Sequence, residues 1–188
     1  MSTILFVNAC MRGEQARTLE LCRAYLADKE NVVEVNLPAL SLVPLDGETA
    51  DRRAGLQKAG MWDDPIFDLA KQFAAADEIV IGAPYWDLSF PAALKTYIER
   101  VSVCDITFHY TEDARCEGIC RAKTLTYITS CGGFVEGMNF GYDYLCGIAK
   151  MFGIPETRFI AAEGLDIVGI DVEEQMDKAL AAIAELNG

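Results

Sequence analysis

Histidine is almost absent: the 188 residues contain one, His109. Seven cysteines are present but none forms a CxxC pair, Cys116 and Cys120 being four apart. Common zinc sites draw on paired cysteines and histidines, so the ligands for a structural metal are lacking and none is expected. Basic residues are scarce too, 16 Lys and Arg against 29 Asp and Glu, for a net charge of −13. That charge repels a nucleic-acid backbone and an anionic membrane surface alike, and neither is expected as a partner. No stretch approaches the roughly 18 consecutive apolar residues of a membrane span, and the first apolar run, Ile4 to Val7, is too short for the core of a secretion signal. An odd number of cysteines without such a signal reads as reduced thiols in a cytoplasmic protein. Repeats and low-complexity tracts are missing, as are GxGxxG and GxxxxGKS/T, the glycine motifs that label dinucleotide and triphosphate sites.

What the chain does have is apolar content, 52% of its residues. Its length and this content predict one domain spanning 1–188. Five short runs rich in β-branched residues, Thr3–Val7, Asn31–Leu37, Glu78–Gly82, Thr124–Ile128 and Arg158–Ala162, read as buried strands. Helical periodicity follows or precedes them: Leu19, Cys22 and Leu26; Pro65 to Ala76; Pro91 to Val101; Tyr144 to Phe152; Val172 to Leu186. Such alternation predicts an α/β fold with a doubly wound, five-stranded parallel sheet in the order 2-1-3-4-5. Residues 38 to 60 read as a long, partly irregular connection with a poorly patterned helix near Ala50 to Lys58, and Cys104 to Ala122 as an excursion.

Three loops carry candidate chemistry. In the first, Asn8 to Thr18, Gly13 lets the backbone turn, while Arg12, Arg17 and Thr18 stand beside the free amides of a helix start, a phosphate site in outline. In the second, Pro84, Tyr85, Trp86, Asp87 and Leu88 follow the third strand, where an aromatic pair can flank a flat ring. In the third, Ser130, Cys131, Gly132 and Gly133 end the fourth strand, and paired glycines permit close backbone approach. Singly, the first is also an ordinary strand-to-helix turn, the second a set of core-capping aromatics and the third a tight turn. In a 2-1-3-4-5 sheet, however, the three strand ends are neighbours. His109 has no adjacent nucleophile or paired carboxylate and reads as a surface or packing residue.

PYWDLSFPAALKTYIERV (84–101), ITFHYTEDARCEGI (106–119), TSCGGF (129–134) and MFGIPETRFIAAEGLD (151–166) together carry a resemblance. From Ile4 to the last helix the chain resembles the flavodoxin-like NAD(P)H dehydrogenases, the FMN-dependent azoreductases and quinone reductases. The resemblance implies a homodimer with one FMN per subunit at the interface. It also implies a hydride passed from NADH or NADPH through flavin N5 to a quinone, azo or similar small-molecule acceptor, in ping-pong order. The flavin carries that chemistry, so no protein nucleophile is needed; Phe108 and Tyr110 match positions brought toward the active site, and Tyr110 and His109 are the side chains to consider near substrate. The family's phosphate contacts fall on Cys10, Ala16, Arg17 and Thr18, with Arg12 beside them, and its ring contacts on Pro84 to Leu88 and Ser130 to Gly133. Cys10 and Ala16 replace hydroxyls; Asp87 stands where asparagine is common, with a charge that would disfavour anionic reduced flavin if it faced the ring. An acidic surface also suits a flavodoxin-type electron carrier, and the departures suit a non-catalytic flavin-binding protein or a non-flavin sensor that has kept the fold.

Overall fold

Alternation within a strand sends successive side chains to opposite faces, so strands buried on both faces need apolar residues at nearly every position. That is how this chain builds its centre. The computed structural model describes residues 2–187. Its strands are β1 (Ile4–Asn8), β2 (Val32–Asn36), β3 (Glu78–Gly82), β4 (Phe108–Tyr110), β5 (Cys116–Gly118), β6 (Thr124–Ser130) and β7 (Glu156–Ala162). Its helices are α1 (Arg17–Leu26), α2 (Leu37–Leu40), α3 (Gly47–Lys58), α4 (Asp68–Ala75), α5 (Ala92–Val101), α6 (Phe140–Phe152) and α7 (Val172–Asn187). The main sheet runs β2-β1-β3-β6-β7 with every pair parallel, the order expected of the five runs.

Leu5, Val7, Ile79, Ile81, Leu125 and Tyr127 share one apolar cluster with Phe73 of α4, Leu94 and Tyr97 of α5 and Phe152 of α6. Ile4, Phe6, Val80, Ile128 and Ile160 share a second with Leu21 and Tyr25 of α1 and Met176 and Ile183 of α7. Burying each such side chain contributes about 1.5–3 kcal/mol before chain entropy is set against it. Neighbouring residues on one strand thus hold different helices, which fixes the register of each.

Three regions depart from the sequence reading. The excursion between α5 and β6 folds as a two-stranded antiparallel hairpin, β4 with β5, apart from the main sheet. The 38–60 connection contains α2 and a full α3, whose first turn is capped by Asp46 Oδ1 accepting from the Thr49 amide at 2.7 Å. Helix α6 begins four residues before Tyr144, where Asn139 Oδ1 accepts from the Tyr142 amide at 3.1 Å. At its start the sheet is clamped by Asp77: its carboxylate accepts from the Thr3 amide at 2.8 Å and from Arg121 at 2.7 Å. Among the described residues no helix is long and apolar enough to cross a membrane.

Candidate functional site

Every strand of a parallel sheet ends at the same edge, so the loops after β1, β3 and β6 meet there. They enclose a cavity of ≈ 350 Å³ together with the loop after β7. Arg12, Ala16, Arg17 and Thr18 line it from the first loop, Pro84, Tyr85 and Trp86 from the second, and Ser130, Cys131 and Gly132 from the third.

The first loop turns through Gly13, at φ +55°, into a short 3₁₀ turn, and α1 begins at Arg17. The N-cap is Ala16, whose side chain offers no acceptor, so the amides of the first turn lack the usual capping oxygen. Ala16, Arg17 and Thr18 line the cavity at this helix start with Arg12 nearby, an arrangement suited to an anion. Thr18 and Ser130 join the first and third loops through their hydroxyls, 2.6 Å apart. Second and third loops are joined by the backbone, the Tyr85 amide donating to the Ser130 carbonyl at 3.1 Å. Tyr85 also donates its phenol to the Met138 carbonyl at 2.8 Å, which tethers the segment leading into α6.

Cys10, Asp87, Leu88 and Gly133, also expected at the site, lie outside the cavity lining. Cys10 is fully buried: its amide donates to Asn8 Oδ1 at 2.9 Å and its thiol lies 3.7 Å from the Gly82 carbonyl, beside Cys22. Burial, reinforced by Cys10, pushes the Cys22 thiol far up. Asp87 and Leu88 form the tip of a two-residue hairpin turn in which Trp86 and Ser89 exchange both backbone bonds, at 3.0 and 2.8 Å. Both tip residues have positive φ, +50° and +66°, as a type I′ turn demands, and both side chains are exposed. The Asp87 carboxylate is thus exposed and is not part of the cavity lining. Gly133 has open space where a side chain would stand.

His109 and Tyr110 sit on β4 and are not among the residues that line the cavity. Their hairpin docks on the C-terminal end of α6, where Gly118 meets the backbone of Phe152 and Gly153, and the Cys120 amide donates to the Phe152 carbonyl at 3.1 Å. That is the opposite end of the helix from the strand termini. His109 Nε2 is 3.7 Å from Glu117 on the paired strand.

Cys131 is only 3% exposed, its thiol lies 3.6 Å from the Ala162 carbonyl, and burial pushes it up to about 12, so it stays protonated at neutral pH. Met11, Gln15, Leu165 and Asp166 complete the lining and were not singled out in the sequence. The last two come from the loop after β7, which is laced to the third loop by three backbone bonds: Gly164 to Gly133 at 2.9 Å, Leu165 to Cys131 at 3.1 Å and Asp166 to Gly132 at 3.0 Å. The signal for it was the rule that loops at the same sheet edge share a crevice, applied to the fifth strand as well.

A larger groove of ≈ 680 Å³ lies beside edge strand β2, between Phe6, Leu19, Val32, Glu34 and Pro38. Of the predicted site residues it touches only Cys10, so the smaller cavity is where the chemistry-bearing groups converge. Among the described residues no three His, Cys, Asp or Glu side chains are placed to hold a metal ion.

A protein of Coprothermobacter proteolyticus named FMN-dependent NADH:quinone oxidoreductase is 31% identical, covering 99% of this chain and 98% of that protein. FMN-dependent NADH:quinone oxidoreductase 2 of Clostridium acetobutylicum is 36% identical over 92% of each chain. The crystal structure of an azoreductase from Bacillus anthracis superimposes with a TM-score of 0.86 at 26% identity, over 99% of this chain and 98% of that one. With a family model described as flavodoxin-like fold matching residues 2–186, the chain belongs to that flavodoxin-like family.

Proposed function

We propose that this protein is an FMN-dependent NADH:quinone oxidoreductase that also accepts azo compounds, with FMN held in the cavity at the ends of β1, β3 and β6. The observation that carries this reading is the convergence in one cavity of three kinds of group a flavin nucleotide requires. Arg12, Arg17 and the uncapped amides of α1 suit a phosphate. The hydroxyls of Thr18 and Ser130 and the amide of Gln15 suit ribityl oxygens. The faces of Tyr85 and Trp86, with the side-chain-free backbone at Gly132, suit a flat heterocycle and its polar edge. The donor set thus fits FMN even though Cys10 and Ala16 supply no hydroxyl.

Bound there, FMN supplies two-electron chemistry at N5, taking a hydride from reduced nicotinamide and yielding it to a quinone, azo or similar acceptor. The protein's share is to bind, orient and exclude. Tyr85, fixed by its bond to the Met138 carbonyl, and the Trp86 turn wall one side of the cavity. Cys131, held protonated by its burial, adds no charge to the wall beside Gly132. The Tyr85 phenol is committed to the Met138 carbonyl, and solvent at the open mouth supplies protons. Donor and acceptor use the same mouth in turn, in ping-pong order. Asp87 and Leu88 contribute through the turn they form rather than through side-chain contact with the ring.

The remaining parts of the reading concern the whole chain. Residues 1–188 act as one doubly wound domain, supported by an apolar cluster on each face of the sheet. A homodimer is supported by exposed apolar residues, among them Trp86 of the cavity lining, Leu88 next to it, and Phe134, Met138, Phe140 and Val168. His109 and Tyr110 of the β4-β5 hairpin would reach a cavity only if it belonged to a second copy.

The test is the visible spectrum of the purified protein followed by anaerobic titration with NADH. Flavin absorbance that bleaches stoichiometrically and returns on adding a quinone is the expected result. A flavin that stays oxidised with NADH and with NADPH points instead to an electron carrier, and a protein that takes up no FMN overturns the reading.

A further inference from the structure

Among the described residues the cavity lining holds one carboxylate, that of Asp166, and it lies beside Arg17. Asp166 lines the cavity beside Gly132, and its Oδ1 lies 3.8 Å from Arg17 Nη1. The contact is loose: it is longer than a hydrogen bond, and the two side chains are 45% and 81% exposed. Asp166 is nonetheless fixed at its backbone, because the Asp166 amide donates to the Gly132 carbonyl at 3.0 Å as the last of three bonds lacing the two loops. A side-chain carbon at position 132 would run into its carboxylate, so the glycine is what lets the charge sit against this wall. Arg17 is the first residue of α1, beside the uncapped amides.

A cation at that position would ordinarily serve an incoming anion undivided. Here an anion on a tethered backbone draws on it, and among the described residues no lining residue beyond Arg12 adds a further positive charge. We propose that Asp166 is a specificity-determining residue that competes with the ligand's phosphate for Arg17, loosening the site's hold on a phosphorylated flavin relative to the same flavin without phosphate. This rests on the flavin reading given above. The consequence is a site whose nucleotide preference is set by the difference between two charges, Arg17 and Asp166, rather than by Arg17 alone.

The experiment compares FMN and riboflavin binding to apoprotein by quenching of flavin fluorescence, for the native chain, Asp166→Asn, Arg17→Gln and the double variant. Asp166→Asn is expected to tighten FMN by about two- to fivefold, the range of a solvent-exposed charge pair, and to leave riboflavin unchanged. In the Arg17→Gln background the same change should gain less, because the contested cation is gone. Circular dichroism of each variant reports folding independently of ligand. An unchanged ratio of FMN to riboflavin affinity, or weaker FMN binding in Asp166→Asn, overturns the proposal; the latter would make Asp166 a residue that positions Arg17. Failure of the native chain to bind either flavin overturns the flavin reading itself, and this assignment with it.

Discussion

Leu88 occupies a backbone conformation that its side chain resists. At φ +66°, next to Asp87 at +50°, it fills the second place of a type I′ turn, where glycine is favoured and asparagine or aspartate precedes it. A bulky residue there stores on the order of 1–2 kcal/mol. Leu88→Gly should therefore raise the unfolding temperature, and a melt that moves downward would show that contacts of the Leu88 side chain outweigh the strain. Asp87 already suits its place, so Asp87→Asn should change stability little; because its carboxylate is exposed and outside the cavity, the flavin potential should also hardly move. At Cys131, burial gives a different expectation. Its thiol is pushed up to about 12 and is 3% exposed, whereas Cys116 is exposed. Mass spectrometry after a short treatment with iodoacetamide at pH 8 should find Cys116 alkylated and Cys131 untouched. Equal labelling of the two would contradict this packing.

Strand β3 is held at its start by a residue outside it. Asp77 accepts from the Thr3 amide and from Arg121, and the first of these bonds, with Arg121 assisting, lowers its carboxyl below the ordinary aspartate range. A group depressed on folding stabilises the fold above its unfolded value, about 3.9, and loses that contribution as pH falls through its folded value. Asp77→Asn should therefore lower stability at neutral pH and flatten the fall in stability below pH of about 4. Urea melts across that range measure it, and parallel pH profiles for the two proteins would refute the clamp. The β4-β5 hairpin is held differently, by backbone against backbone at Gly118 and Gly153. Gly118→Ala puts a methyl into the main chain of Phe152 and Gly153, so it should destabilise by about 1–3 kcal/mol, the range of overpacking. A variant with native stability would mean the hairpin can lift from α6 without loss.

Dimerisation belongs to the whole molecule, and the surface that would drive it is a set of exposed apolar residues outside α5. The apolar residues of that helix, Leu94, Tyr97, Ile98 and Val101, are already buried in the chain's own core, which leaves Ala92 and Lys95 outward. Trp86, Leu88, Phe134, Met138 and Phe140 are instead 42–54% exposed, and Val168 is fully so. A stable homodimer typically buries upwards of about 2,000 Å². Sedimentation at micromolar concentration should show a dimer, which Phe140→Glu together with Val168→Glu should weaken. A native chain that remains monomeric would overturn the expectation.

The five central strands and their order could be read from the sequence because the information is local: continuous apolar runs of strand length, alternating with helices, admit few parallel arrangements. The three loops were legible for the same reason, since each directly follows a strand. Short antiparallel strands such as Phe108–Tyr110, with one polar and one exposed residue, carry no such signature, and the aromatic run Phe140 to Tyr144 hid the start of α6. What only the tertiary structure decided was direction and distance across the chain. Cys10 follows β1 as a phosphate contact would, yet its thiol is fully buried beside Cys22 and lies outside the cavity lining. Asp87 reads as a ring contact by position, yet a two-residue turn rotates it into solvent. Asp166 is 149 residues from Arg17 in sequence and 3.8 Å away in space. No periodicity encodes that pairing; it exists because parallel strands deliver distant loops to one edge, where backbone bonds between loops fix which side chains meet.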